Sequence, residues 1–207
     1  GIYLSGHPLE KYRNIMEKMI SARTIDFQPD DETGIPKVYD GQKVIIGGMI
    51  TEKTIKYTRN NKVMAFLTVE DLMGTVEIVV FPRDYEKWQT LINEDARVFI
   101  QGRVNAEDDK PSKLILEKVR AFDDIPREIW IQFKDREDYA QKEQELLNYL
   151  RGSVGTSAVV IYLKDVKTIK RLPAGYHVQI SDFLLEELKK KYGDSNVKVV
   201  ERVLKNF

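Results

Sequence analysis

The chain has 207 residues, room for one large domain or two small ones, and its 42% hydrophobic content is ample for a core. No apolar run approaches the length of a membrane span, and no basic-then-apolar leader opens the sequence. Cysteine is absent, which excludes a disulfide framework, thiolate metal sites and cysteine nucleophiles and makes a reducing cytoplasm the expected location. Lys plus Arg balances Asp plus Glu at 33 each, so any nucleic-acid contact must come from a local patch. The opening Gly falls within what reads as a motif, and a piece of something longer is expected.

In chain order, residues 1–40 read as a helix and a connector. Pro8 suits a first helical turn, and Leu9, Tyr12, Met16 and Met19 or Ile20 then recur on one apolar face. His7, just before the proline, reads as a cap or turn residue. The segment 21–40 carries two prolines, a glycine and the acidic run Asp30-Asp31-Glu32, which makes it a connector, with Ile25 and Phe27 expected to touch the next unit.

Strands begin at Gln42. The run QKVIIGGMITEKTIKYT is long for one strand, and Gly47-Gly48 in its middle predicts a bulge or a sharp coil. Arg59-Asn60-Asn61-Lys62 is a turn, with Asn suited to left-handed geometry. The stretch VMAFLTVEDLMGTVEIVVFP, 63–82, then reads as a hairpin. Leu67 and Val69 face one way and Phe66, Thr68 and Glu70 the other; Val76, Ile78 and Val80 repeat the buried face, with Thr75, Glu77 and Val79 opposite. Gly74 is expected to supply the positive φ of the turn. Pro82 starts a short helix with Tyr85, Trp88 and Ile92 on one side. RVFIQGRV (97–104) and KLILEKVRAF (113–122) are two more strands, separated by the polar acidic loop 105–112. Strand, strand, strand, helix, strand, strand with a long coiled first strand is the pattern of an OB-fold, a five-stranded Greek-key barrel over residues 41–124. Another small barrel or sandwich is the alternative, and the helix position favours the OB-fold.

From 125 to 207 the texture changes to a small α+β domain. EIWIQF is a strand, 135–151 a charged helix with Tyr139, Leu146, Leu147 and Leu150 inward, and SAVVIYL a buried strand. VKTIKRL follows, then a brief extended piece at 176–180, a helix capped by Ser181 and closed by Gly193, and a last strand NVKVVERV. No Gly-rich phosphate loop is present.

Parts for catalysis are wanting. His7 and His177 lie in different units without metal-ligand partners at suitable spacing. The denser carboxylate groups, 30–32 and Glu107-Asp108-Asp109, sit in loops, where solvation explains them better than Mg²⁺, and no serine has an elbow or a paired base. The chain is read as non-catalytic, with no cofactor and no metal. Binding has more support. Lys53, Lys56, Tyr57, Arg59, Asn60, Asn61 and Lys62 place four cations, an aromatic and two amides within ten residues, in the loop that borders an OB-fold's ligand groove. Cations there track phosphates and an aromatic offers a stacking platform. Phe66 faces outward where a base would lie, and Arg103 adds charge from the fourth strand. The competing reading is a polar hairpin tip, with Phe66 covered by the N-terminal segment or a neighbouring domain. The acidic 107–109 loop would repel a backbone at that end of the groove.

YLSGHPLEKY at 3–12 together with MAFLTVEDLMGTVEIVVFPRDYEKW at 64–88 resembles the C-terminal region of the alpha subunit of bacterial DNA polymerase III. The resemblance covers essentially the whole chain, most clearly to about residue 123. It implies a section without the polymerase active site of a DNA-directed DNA polymerase, a nucleotidyltransferase of the replisome. It further implies an OB domain contacting single-stranded template through Lys53, Lys56, Arg59 and Lys62, and a tail domain docking the tau subunit of the clamp loader. The remainder of the alpha subunit would be a third partner, and no membrane is implied. No short motif marks a tau site; Gln144-Glu145-Leu146-Leu147 is a degenerate sliding-clamp peptide that reads better as core, and the final LKNF matches none. The hairpin is also similar to the anticodon-binding OB domain of class II aminoacyl-tRNA synthetases, but Glu77 stands where that family has a base-reading glutamine.

Overall fold

Alternation of apolar and polar side chains dictates most of what the computed structural model shows over the residues it describes, 7–107 and 110–202. Tyr3 to Gly6 of the opening motif, Asp108 and Asp109 of the acidic loop, and the final LKNF lie outside those residues. Two compact units divide the chain, with the boundary between Asp124 and Ile125.

In the first unit a 3-10 turn, Glu10–Tyr12, leads into α1 (Arg13–Met19), whose Ile15, Met16 and Met19 are buried. The helix starts later than Pro8 suggests, because residues 8–9 form a turn in which His7 Nδ1 accepts a hydrogen bond from Leu9 N at 3.2 Å. Five strands follow: β1 (Lys43–Tyr57), β2 (Val63–Glu70), β3 (Thr75–Val80), β4 (Arg97–Asn105) and β5 (Lys113–Ala121), with α2 (Pro82–Trp88) between β3 and β4. They close a barrel in the order β1-β2-β3-β5-β4, an OB-fold, with β3 and β5 the parallel pair. Val44, Ile46, Ile50, Leu67, Val69, Ile78, Ile100 and Leu116 fill it.

β1 serves both halves of the barrel. Lys43 to Met49 pair with β4, and Met49 to Tyr57 pair with β2. The irregularity falls between Ile50 and Glu52, not at Gly47-Gly48, which keep regular pairing with Phe99 and Val98. The glycines are there for space. A Cβ on Gly48 would sit 2.5 Å from the Glu70 carbonyl oxygen and one on Gly47 2.9 Å from the Phe99 ring. Gly74 also departs from expectation. Its φ is not positive; the turn is held by the Asp71 carboxylate, which accepts from Met73 N and Gly74 N at 2.7 and 3.1 Å. Asn61 does take a left-handed φ of 57°.

Outside the barrel, Phe99 projects from β4 and packs against Phe122 and, through it, Tyr12, with centroids 4.3 and 5.0 Å apart. α1 lies on this side, with Ser21 N donating to the Ile45 carbonyl. In the connector Phe27 is buried in the core, whereas Ile25 is exposed. α2 ends at Trp88, shorter than its apolar pattern, though Tyr85, Trp88 and buried Ile92 all pack on the barrel.

The second unit is a separate α+β domain. A four-stranded sheet of β6 (Arg127–Phe133), β7 (Val159–Leu163), β8 (Thr168–Arg171) and β9 (Val197–Glu201) runs in the order β8-β7-β6-β9. Helices α3 (Arg136–Arg151) and α4 (Asp182–Tyr192) share a core with Ile129, Ile131, Phe133, Val159 and Ile161. Asp135 and Ser181 cap them by accepting from Asp138 N and Leu184 N. Gly193 has the positive φ expected after α4. The stretch 176–180 is less extended than expected: Ala174–Tyr176 is a 3-10 turn, and Val178 makes a single bridge to Ser157. Leu146 is fully buried and Leu147 partly so, which makes these two leucines part of the core face of α3, while Gln144 and Glu145 are exposed.

Candidate nucleic-acid interface

Strand alternation sorts the residues singled out in the sequence onto different faces. On the outward face of the barrel Thr54, Phe66, Val79 and Ile115 are register partners in one row across β1, β2, β3 and β5. Lys56 and Met64 make the next row toward the β1–β2 turn. Lys56 Nζ sits over the Phe66 ring, 4.9 Å from its centroid. One step the other way lies a row of opposite character: Glu52, Thr68 and Glu77. There Thr68 Oγ1 donates to Glu52, and Glu77 is paired with Lys113 at 2.6 Å. The face therefore changes from cationic and apolar to acidic along the strands.

Lys53, Ile55 and Tyr57 point to the opposite side, toward α2. Lys53 Nζ donates to Asn93 Oδ1 at 3.2 Å and lies 5.5 Å from the Tyr85 ring centroid, so its ammonium is already engaged. Tyr57 is 69% exposed. Tyr57 and Phe66 thus occupy opposite faces of one two-stranded ribbon and do not form a joint platform. At the tip the turn 58–62 is closed by Thr58 N donating to the Lys62 carbonyl, and Arg59, Asn60, Asn61 and Lys62 are exposed. Among the described residues Lys53, Lys56, Arg59 and Lys62 have no carboxylate within ion-pair distance.

Arg103 is not brought to this cluster. It pairs in register with Ile115 and Lys43, with β3 and β5 between it and Phe66, and its guanidinium meets Glu117 at 3.5 Å. Lys43 binds the other Glu117 oxygen at 3.1 Å, so cations on that side are neutralised locally. The apolar row beside Phe66 escaped the sequence reading, although the alternation placing Val79 and Ile115 outward was its signal. His7 meets Glu70 at 3.4 Å, and among the described residues no group of three or more His, Cys, Asp or Glu could hold a metal ion. No helix among them is long and apolar enough to cross a membrane.

The family of OB-fold nucleic acid binding domains (tRNA anti-codon) matches residues 44–121. The DNA polymerase III subunit alpha of Bacillus subtilis is 27% identical over 207 residues, covering 95% of this chain and 17% of that protein. That of Escherichia coli K12 is 25% identical over 212 residues, covering 96% and 17%. Among solved structures, the SSB domain of a Synechococcus protein aligns with 16% identity and a TM-score of 0.35, over 40% of this chain and 97% of that one. The chain spans about 17% of the length of the curated relatives it matches, and it is homologous to that section of bacterial polymerase III alpha subunits.

Proposed function

From this homology we propose that the chain is a non-catalytic section of a replicative polymerase alpha subunit whose OB unit holds single-stranded DNA weakly and without sequence preference. The observation that carries the reading is the set of cations at the β1–β2 end, Lys56, Arg59 and Lys62, left without carboxylate partners among the described residues and lying beside an outward aromatic. Phosphates would neutralise them, and a base would stack on Phe66. Lys56 must first leave the ring. An exposed cation–π contact is worth about 0.5–1 kcal/mol, below the roughly 1–3 kcal/mol of a base on an aromatic, so the exchange is favourable. The row Glu52–Glu77 limits the footprint, because a phosphate crossing it meets like charge. Lys53 and Tyr57 lie on the α2 side, off the path of this strand, and Arg103 is peripheral to it.

The test is fluorescence anisotropy of a labelled single-stranded oligonucleotide across a salt series. Binding should weaken steeply with salt, and the combined Lys56→Ala, Arg59→Ala, Lys62→Ala variant should flatten the log–log slope by about 2, from roughly 0.7 per phosphate contact. Equal slopes would remove the loop from the interface.

The second unit is proposed to dock the clamp-loader tau subunit, a reading that rests on the homology. Phe183 on α4, 73% exposed, is the large apolar side chain offered there, and Phe183→Asp should abolish capture of purified tau. A unit acting only as a protein scaffold would show no salt-dependent DNA binding. The anticodon-type reading for tRNA is less favoured, because the Glu77 carboxylate, bound to Lys113, faces outward at the base-reading position.

A further inference from the structure

The ligand class can be narrowed further, on the reading that the OB unit binds DNA. The outer part of the β1–β2 ribbon is two-sided. Lys56, Met64 and Phe66 occupy one face, and Ile55, Tyr57 and Val63 the other, because Lys56 pairs with Met64 and Tyr57 with Val63 on successive, oppositely directed positions. Both faces carry an aromatic, and both are accessible: Tyr57 is 69% and Ile55 38% exposed, and Phe66 is half-buried under the Lys56 amine. The tip between them carries Arg59 and Lys62, exposed and without an ion-pair partner among the described residues. A binder of one strand needs only one such face. A ribbon with a stacking ring on each side and cations at its end fits between two strands as they part, one strand on each face and phosphates of both at the tip.

We propose that the β1–β2 ribbon is a wedge that recognises the junction at which duplex DNA opens into two single strands. The first strand lies on the Phe66–Lys56 face and the second on the Tyr57–Ile55 face. Charge supports two paths over one continuous path around the barrel: along the Phe66 face a strand soon meets Glu52 and Glu77, and farther round the barrel the cations Lys43 and Arg103 are taken up by Glu117. Of the cations named on these strands, those without a carboxylate among the described residues lie at the ribbon end, where both faces meet.

The test compares three labelled DNAs with the full 207-residue chain at one salt concentration: a single strand, a duplex with one overhang and a Y-shaped fork with two unpaired arms. The fork should bind about tenfold more tightly than the overhang, in line with one added base–aromatic stack. Tyr57→Ala should erase most of that fork-to-overhang ratio, whereas Phe66→Ala should weaken all three DNAs. Tyr57→Phe, which keeps the ring, should retain the preference. Salt-sensitive binding with equal affinity for fork and overhang overturns the wedge and leaves single-strand binding standing. Equal losses on all three DNAs from Tyr57→Ala also overturn it. Absence of binding to any DNA at low salt overturns both readings.

Discussion

Asp71 carries more of the first unit's local order than its place in a turn suggests. The carboxylate is 5% exposed, and besides Met73 N and Gly74 N it accepts from Thr24 N at 2.9 Å and Thr24 Oγ1 at 2.6 Å. It therefore ties the connector to the β2–β3 turn and satisfies donors that burial would otherwise orphan. Asp71→Ala should cost about 3 kcal/mol in urea denaturation, since at least two buried donors lose their acceptor. Asp71→Asn retains one acceptor oxygen and should cost about half as much. The sequence shows an Asp-x-x-Gly turn but not the Thr24 contact, 47 residues away in the chain. That partner exists only once the connector wraps the barrel.

Among the elements, β1 decides the shape of the barrel, and it does so through close approach. Gly48 lets the strand pass from β4 to β2 with the Glu70 carbonyl in near contact, and Gly102 plays the same part where β4 meets β5, with the Ile115 carbonyl oxygen 2.3 Å from the position a Cβ would take. In each case the obstacle is backbone, which cannot rotate away as a side chain can. Gly48→Ala and Gly102→Ala should each destabilise the barrel by about 2–3 kcal/mol, read as a lowered midpoint of thermal unfolding. Gly47→Ala should cost less, because its neighbours are the Phe99 ring and the Ile20 side chain. The same element forms the ribbon on which the DNA reading depends. Its alternation was legible from the chain. That Lys53 and Tyr57 fall on the α2 side became visible only with the register.

Taken whole, the chain has two cores, and its two tryptophans report on them separately: Trp88 beside the barrel and Trp130 on β6. Trp130 Nε1 donates to Glu128, whose carboxylate also binds Arg171 at 2.6 Å. Burial pushes the Glu128 carboxyl up, but the hydrogen bonds from Arg171 and Trp130 outweigh it and hold it below the usual carboxylate range. A lowered folded value means that this stabilisation is fully present above the unfolded pKa of about 4.3 and is lost as pH falls through the folded value. In a Trp88→Phe background, the urea midpoint reported by Trp130 should therefore drop as pH is lowered below about 4. Glu128→Gln, which keeps the shape and removes the charge, should be less stable at neutral pH and should flatten that acid dependence.

Period-2 runs broken by turn residues were sufficient to determine five strands, the helix between the third and fourth, and hence an OB-fold followed by an α+β unit, because burial of one strand face writes itself into local sequence. The cluster of cations at 53–62 was equally plain, as was the aromatic at 66. What they could do together was not. Which cations stay without carboxylates depends on acids brought from other strands: Glu117 claims Lys43 and Arg103, Glu77 claims Lys113, and no carboxylate reaches Lys56, Arg59 or Lys62 among the described residues. Those pairings join residues far apart in the chain. Strand order and register set them, and no local pattern encodes either.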